Sequence, residues 1–385
     1  MNLRLTPDQE RFRGEVCDLL CEPGVQDEAA RARRLPPDEE PGLLDVYRRL
    51  GERGWLAANW PAEYGGLGAT IVEKAILTEE LITHGIPDVV HTLSIDIAGL
   101  AVHLFGTDAQ KHQWLPRLAA GLSAACVLFS EPDIGSDLSN LTSRAEPDGD
   151  GWRLSAHKVY SLKAHLADFG LCAARTSDSA VSYHGITVFI VPMRTPGVRV
   201  EPLWSMSDER FNEVVISGLH MTRADVLGEV DDGWETIGRI LGLERTGIEF
   251  EAKGRRLLDA VLDQAVGAGR AGQPGYGERL VELDAQVRAG RLLSWRALGA
   301  LGRSEPDEVL CAMAKWHTTE TAKAVAELSP EIGGLNAVLS ARDEEAPPGR
   351  LIESACRDAP GLTVASGTSE VMLSLVASAG LGLPG

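Results

Sequence analysis

Between about residues 123 and 228 the apolar residues of this chain stop recurring at helical spacing and gather into short runs parted by Gly, Pro, Ser or Asp. Cys126-Val127-Leu128-Phe129 is one such run. Segments 142–145 and 152–159 flank Asp148-Gly149-Asp150-Gly151 as a hairpin, and 171–174, 186–191, 198–200 and 213–216 are further short strands. No helical period interrupts the block, which predicts an antiparallel sheet rather than a parallel one.

On both sides the pattern is helical. Thr6-Pro7-Asp8-Gln9 has the form of a capping box with proline at the first helical position, and Phe12, Val16, Leu19 and Leu20 follow at helical spacing. Trp60-Pro61 and Glu63-Tyr64-Gly65-Gly66-Leu67-Gly68 make a turn-rich loop before a helix over about 71–85, and Thr107 caps another. After Gly233, long helices are expected over 234–266, 278–301 and 306–328, with a last one after Gly367. Leu280, Leu283, Val287 and Leu298 suit a bundle core. The fold class is α+β. A helical N-terminal domain spans 1–122, a middle antiparallel β domain 123–228 and a four-helix-bundle-like C-terminal domain 229–385. Residues 335–355, rich in Pro and charge, read as an exposed loop.

A formal charge of −19 argues against nucleic acid, whose phosphates would be repelled. The chain contains no apolar run long enough for a membrane span and no apolar signal core, so a cytoplasmic protein is expected. Six scattered cysteines read as free thiols. Cys17 and Cys21, four apart, read as small residues on a buried helical stripe, and no metal site is expected. The one G-x-G-x-x-G, Gly380 to Gly385, ends the chain with no helix behind it and cannot cradle a dinucleotide; P-loop, H-E-x-x-H and G-x-S-x-G strings are absent.

Two strings carry more chemistry. Phe129-Ser130-Glu131-Pro132-Asp133-Ile134-Gly135-Ser136-Asp137 and Gly367-Thr368-Ser369-Glu370 combine small residues, hydroxyls and carboxylates where backbone amides can face a ligand. Together they resemble the flavin-contacting signatures of the acyl-CoA dehydrogenase family. The 60–68 loop is similar to that family's W-P-x-E-Y-G-G-x-G, 106–116 to its G-T-x-x-Q-K … L-P segment, and Arg357-Asp358-Ala359 to its R-D-A ten residues before Gly367.

The resemblance implies FAD-dependent α,β-dehydrogenation of an acyl thioester, on CoA or on a carrier protein. A base takes the α-proton and the β-hydride passes to flavin N5, with an electron-transfer flavoprotein as electron acceptor. It implies that Phe129, Ser130, Gly135 and Ser136 line the flavin, that Tyr160 stacks on its edge, that Arg270 pairs with its diphosphate, and that Thr368 and Glu370 contact it from the last helix. The backbone N–H at Ser366 would hold the thioester oxygen. Much of the family has a catalytic glutamate at that position; another part uses a glutamate on the first long C-terminal helix. Leu243-Glu244-Arg245 matches the second arrangement, with Glu244 as base and Arg245 beside the substrate, while Glu249 and Glu251 read as solvated.

The chain also departs from the family. Its N-G-x-K-x-W-x-T appears as Ser155-Ala156-His157-Lys158-Val159-Tyr160-Ser161-Leu162, without the last hydroxyl. The glutamine expected some eleven residues after Arg270 has no counterpart, and Pro330 replaces another in Q-x-x-G-G. Those glutamines hold the adenylate half of FAD across a subunit interface. The expected assembly is a homodimer or homotetramer. Two alternatives stay open: a flavin monooxygenase on the same scaffold, and a subunit of a hetero-oligomer with an incomplete FAD site.

Overall fold

In the computed structural model, which describes residues 4–40, 42–340, 343 and 351–384, Thr6 opens helix α1 (Pro7–Leu20) through a reciprocal capping box. Its hydroxyl accepts from Gln9 N at 3.3 Å, and the Gln9 side chain accepts from Thr6 N at 3.0 Å. Helices α2 (Pro23–Ala32), α3 (Asp45–Gly51) and α4 (Ile71–Thr83) follow. Next come α5 (Val89–His91), a π-helical stretch Thr92–Gly99, α6 (Leu100–Phe105) and α7 (Asp108–Ala119), the last capped by Thr107 as expected. They close around Leu20, Trp60, Leu77, Leu81, Ile95 and Leu115, all buried.

The strands are β1 (Ala125–Leu128), β2 (Arg144–Asp148), β3 (Gly151–Lys158), β4 (Phe169–Arg175), β5 (Ile186–Pro192), β6 (Val198–Leu203), β7 (Phe211–Met221) and β8 (Val226–Leu227). They form one sheet in the order β6-β7-β3-β2-β4-β5-β8, with β1 beside β4. Most pairs are antiparallel, but the expectation of a wholly antiparallel sheet needs correcting. β1 runs parallel to β4, Ala125 opposite Phe169, and Arg144 of β2 also meets Arg175 in parallel. The β2–β3 hairpin lies between β1 and β4 in sequence, so the chain crosses back before β4 and enters it in the direction of β1. β4 and β5 are buried on both faces. Leu171, Ala173, Val188 and Ile190 pack toward the N-terminal helices, while Cys172, Ala174, Phe189 and Val191 pack against Leu154, Ala156 and Val214 of the curled sheet.

The last third holds α8 (Gly233–Glu244), α9 (Ile248–Gly267), α10 (Tyr276–Gly302), α11 (Glu308–Gly333), α12 (Ile352–Leu362) and α13 (Ser369–Leu375). Leu258, Val261, Leu283, Val287, Val325 and Leu328 fill the bundle core. The helix expected over 234–266 is broken at residues 245–247. Gly247 has φ +78°, and a Cβ there would lie 2.9 Å from Ser294 Oγ and 3.0 Å from the Ala314 carbonyl carbon. Only glycine lets the chain turn where α10 and α11 pass so close. Pro330 lies inside α11; the Ala326 carbonyl that it cannot reach accepts instead from Ser329 Oγ at 2.7 Å and Cys356 Sγ at 3.3 Å. Much of the loop expected over 335–355 lies outside the described residues, and α12 begins within its far end.

All six cysteines are free. Cys17 is half-buried and Cys21 exposed, not members of a buried stripe, and Cys17 Sγ donates to Glu80 Oε2 at 3.2 Å. His84 joins these two in a group that could offer metal ligands, though Arg13 already pairs with Glu80 at 3.0 Å. Glu251, expected to be solvated, is buried beside Arg291 (3.6 Å). Burial and the nearby Glu79 carboxylate raise its carboxyl to about 7 against the pull of Arg291. Among the described residues no helix is long and apolar enough to cross a membrane.

Candidate active site

The 129–137 loop starts where β1 ends. Phe129 is buried, and Ser130 O accepts from Val159 N at 3.0 Å, so the loop is stitched to the end of β3. Beneath it lies an ion pair: Lys158 Nζ, fully buried, reaches Glu131 Oε1 at 2.9 Å and Phe129 O at 3.1 Å. Glu131 also accepts from Thr142 N (2.7 Å), Thr142 Oγ1 (2.5 Å) and Ser143 N (2.9 Å). Burial alone would raise the Glu131 carboxyl; the Lys158 ammonium and the donors from Ser143 and Thr142 outweigh it and hold it at about 2. The far side of the loop is open. Gly135 and Ser136 are exposed, and a side chain at Gly135 would meet nothing within 4 Å.

Tyr160 follows β3 with φ +56°, a left-handed backbone uncommon outside glycine. Its ring is 63% exposed and meets Phe211 edge-on at 6.1 Å. Next to it, Ser161 and Asn212 exchange backbone hydrogen bonds of 3.0 Å, and Leu162 packs into the core below. α12 reaches this end of the sheet. Arg357 Nη1 donates to Met206 O at 2.7 Å, and Nη2 meets Asp208 Oδ2 at 2.8 Å.

The second half of the site is built where α8 stops. The Glu244 backbone ends α8, and its side chain lies outside the described residues. Arg245 leaves the helix and its Nε donates to Ser366 O at 2.8 Å. Ser366 is itself left-handed, φ +56°, and Gly367 follows at φ +98°. A Cβ on Gly367 would come within 2.7 Å of Met372 Cε. The Gly367 carbonyl accepts from Lys315 Nζ at 2.6 Å, and the same buried ammonium lies 5.8 Å over the Phe250 ring. Thr368 caps α13 by accepting from Val371 N at 3.2 Å, while the Glu370 amide and the Thr368 hydroxyl lower the Glu370 carboxyl.

Two groups of sequence-predicted residues are thus drawn together: 129, 130 and 160 at the sheet end, and 245, 366, 368 and 370 at the helix break. Arg270 stands apart from both. Its Nη1 donates to Glu331 O and Ile332 O, each at 2.6 Å, capping the end of α11.

Profiles of the acyl-CoA dehydrogenase N-terminal, middle and C-terminal domains match residues 6–122, 126–219 and 231–381. The chain belongs to the acyl-CoA dehydrogenase family. It is an oxidoreductase acting on CH–CH groups, and the members of this family are FAD flavoproteins. Acyl-CoA dehydrogenase FadE26 of Mycobacterium tuberculosis is 29% identical over 404 residues, covering 100% of this chain and 99% of its own. The solved structure of the Tcur3481-Tcur3483 steroid ACAD superposes with a TM-score of 0.90 at 29% identity, over 100% of both chains. The ChsE4-ChsE5 complex from Mycobacterium tuberculosis gives 0.86 at 28%, again over 100% of both.

Within this acyl-CoA dehydrogenase, sequence reasoning missed Glu131 and Lys315. Lys315 is a lone cation in the apolar run Ala312-Met313-Ala314-Lys315-Trp316, and that isolation was the available signal. Glu131 stood inside the quoted loop, but its partner Lys158 is 27 residues away.

Proposed function

We propose that this chain takes the α-proton of an acyl-CoA with the carboxylate of Glu244 and holds the thioester oxygen through the backbone amide of Ser366. The Arg245–Ser366 hydrogen bond carries this reading: it fixes the residue after Glu244 to the residue that presents the amide. A left-handed serine costs on the order of 1–3 kcal/mol and persists only where its surroundings over-determine it. Here Arg245 and Lys315 clamp the carbonyls on successive residues. An α C–H is a poor acid, so developing enolate charge needs donors that do not reorganise, and a clamped backbone amide is such a donor. The base must sit within hydrogen-bond reach of the proton, and the Arg245–Ser366 contact, which ties the residue after α8 to the 366–368 turn, supports that role for Glu244.

When bound, FAD supplies the acceptor for the hydride leaving the β-carbon. The open surface at Gly135 and Ser136, with Phe129 and Ser130 behind it and Tyr160 at its edge, fits the flavin end of that cofactor. Thr368 and Glu370, at the start of α13, would be its further contacts. The adenylate end fits poorly: Arg270 is committed to α11, and Pro330 offers no side-chain donor. We therefore read the chain as one component of a hetero-oligomer whose other chain completes the adenylate site. The two-component names of the Tcur3481-Tcur3483 and ChsE4-ChsE5 structures favour this over a homo-oligomer.

The test is a visible spectrum of the purified protein, alone and with any chain that co-purifies, titrated anaerobically with acyl-CoAs. Flavin that fills on adding the second chain and bleaches with an acyl-CoA is expected. A stable monomer holding a full complement of FAD would overturn the assembly; flavin that no acyl-CoA bleaches would overturn the reaction.

A further inference from the structure

Where the ends of α1 and α4 meet, a thiol and an imidazole converge on one carboxylate oxygen. Glu80 and His84 lie four apart at the end of α4, the spacing at which two helical side chains reach the same ion. Cys17 comes to them from the last turn of α1. Its Sγ lies 3.2 Å from Glu80 Oε2, and His84 Nδ1 lies 3.5 Å from the same oxygen. One ligand atom from each residue falls within 4.8 Å of the others. With bonds of about 2.3 Å to sulfur and about 2.0–2.1 Å to nitrogen and oxygen, a tetrahedral zinc site has edges of about 3.3–3.6 Å. The two separations lie close to such edges. Spacing along the chain did not announce the group, because Glu80 is 63 residues from Cys17.

The surroundings hold these side chains in place. Gln26 Nε2 donates to Leu20 O at 2.7 Å and to His84 O at 3.2 Å, so one amide ties the ends of both helices together. Arg13 Nε lies 3.0 Å from Glu80 Oε1, and its Nη2 reaches Glu79 Oε2 at 2.5 Å. Arg13 therefore meets the far oxygen of Glu80 and leaves Oε2 to the thiol and the imidazole. Outer partners of a metal-bound carboxylate orient it in the same way.

The donor set selects the cation. A thiolate, an imidazole and one carboxylate oxygen suit a borderline divalent ion such as zinc or cobalt, whereas calcium and magnesium take oxygens. Burial and the Glu80 carboxylate push the Cys17 thiol up to about 12, and its proton donates to Oε2. A dication reverses that balance by neutralising thiolate and carboxylate together. As the sulfur–metal bond forms, one proton leaves Cys17 for solvent. His84 Nδ1, 2.9 Å from the Glu80 carbonyl, then binds through its lone pair with the ring proton on Nε2.

We propose that Cys17, Glu80 and His84 form a zinc-type metal site that ties α1 to α4, with water in the fourth position. None of the three belongs to the active site described above, so the proposal does not depend on the acyl-CoA reading.

The test uses the assembled flavoprotein, treated with chelator, dialysed and titrated with Co²⁺, whose tetrahedral complexes absorb beyond the flavin bands. One Co²⁺ per copy of this chain is expected, with an intense long-wavelength band that one equivalent of Zn²⁺ removes. Cys17→Ser and His84→Ala should each weaken binding by more than about 10²-fold, beyond the effect of losing an outer partner. Flavin content and thermal melting of the chelated variants check that they fold; should either fail, Glu80→Gln, which keeps size, must show the same loss. Cys21→Ser, which removes the exposed thiol one turn away, should leave spectrum and stoichiometry unchanged. No saturable binding, or the pale spectrum of an octahedral complex, overturns the proposal. So does binding that survives Cys17→Ser, or that depends on Cys21 instead.

Discussion

The Nε–H of Arg245 reaches the carbonyl oxygen of Ser366 at 2.8 Å, joining residues 121 positions apart in the chain. Lys315 takes the next carbonyl, Gly367, at 2.6 Å, so the turn before α13 is gripped by cations from two different parts of the bundle. If that grip positions the thioester, Arg245→Lys lowers the rate of flavin bleaching by about 10²-fold, the size of effect a ~1 Å misplacement can have. Flavin content should stay unchanged. A variant that bleaches at the wild-type rate contradicts this.

The pair beneath the 129–137 loop allows a stability test. Lys158 and Glu131 are both buried, and removing one partner strands the other. Lys158→Met should cost about 3–5 kcal/mol in urea unfolding, and adding Glu131→Gln should recover a good part of it. Losses that simply add would show that the two are not coupled.

These two contacts mark where sequence legibility stops. Strands and helices were readable because apolar periodicity is local, and Thr6 and Thr107 announced their helices by side chains three residues apart. The break at 245–247 was hidden because the helical pattern continues through it; the glycine is dictated by α10 and α11, far away in sequence. The parallel placing of β1 beside β4 depends on register across more than forty residues. Glu251 looked solvated because its burying neighbours, Glu79 and Arg291, belong to other helices. At the site, motif residues could be named, but not that Arg270, in the loop after α9, would cap the far end of α11.

Glu251 gives the chain a pH dependence. Its carboxyl lies near 7 in the fold against an ordinary 4.5, so the folded protein keeps a proton that the unfolded chain loses. The stability this adds is whole below about pH 4.5 and is lost as pH rises to about 7. Asp358, also raised to about 7 by burial, acts in the same direction. Glu251→Gln, neutral throughout, should therefore gain on the wild type in thermal melts at about pH 8 and not at about pH 5. An equal shift at both would show that the carboxyl is not the cause.

Arg270 distinguishes a structural cap from a cofactor ligand. Because it satisfies the Glu331 and Ile332 carbonyls, Arg270→Ala should destabilise the protein by about 1–3 kcal/mol and leave flavin content unchanged in the assembled protein. Lost flavin with unchanged melting would return Arg270 to the diphosphate and weaken the case for a second kind of chain.

The central claim is the base, and rapid-mixing measurement of flavin bleaching by an acyl-CoA that the wild type turns over tests it most directly. Glu244→Gln keeps size and hydrogen bonding but removes the basic lone pair, so flavin should remain bound while bleaching slows by ~10²–10⁴-fold. Ser366→Ala keeps its backbone amide and should slow it far less. Ser366→Glu in the Glu244→Gln background should recover part of the rate. Bleaching of Glu244→Gln at the wild-type rate would contradict the account and place the base elsewhere.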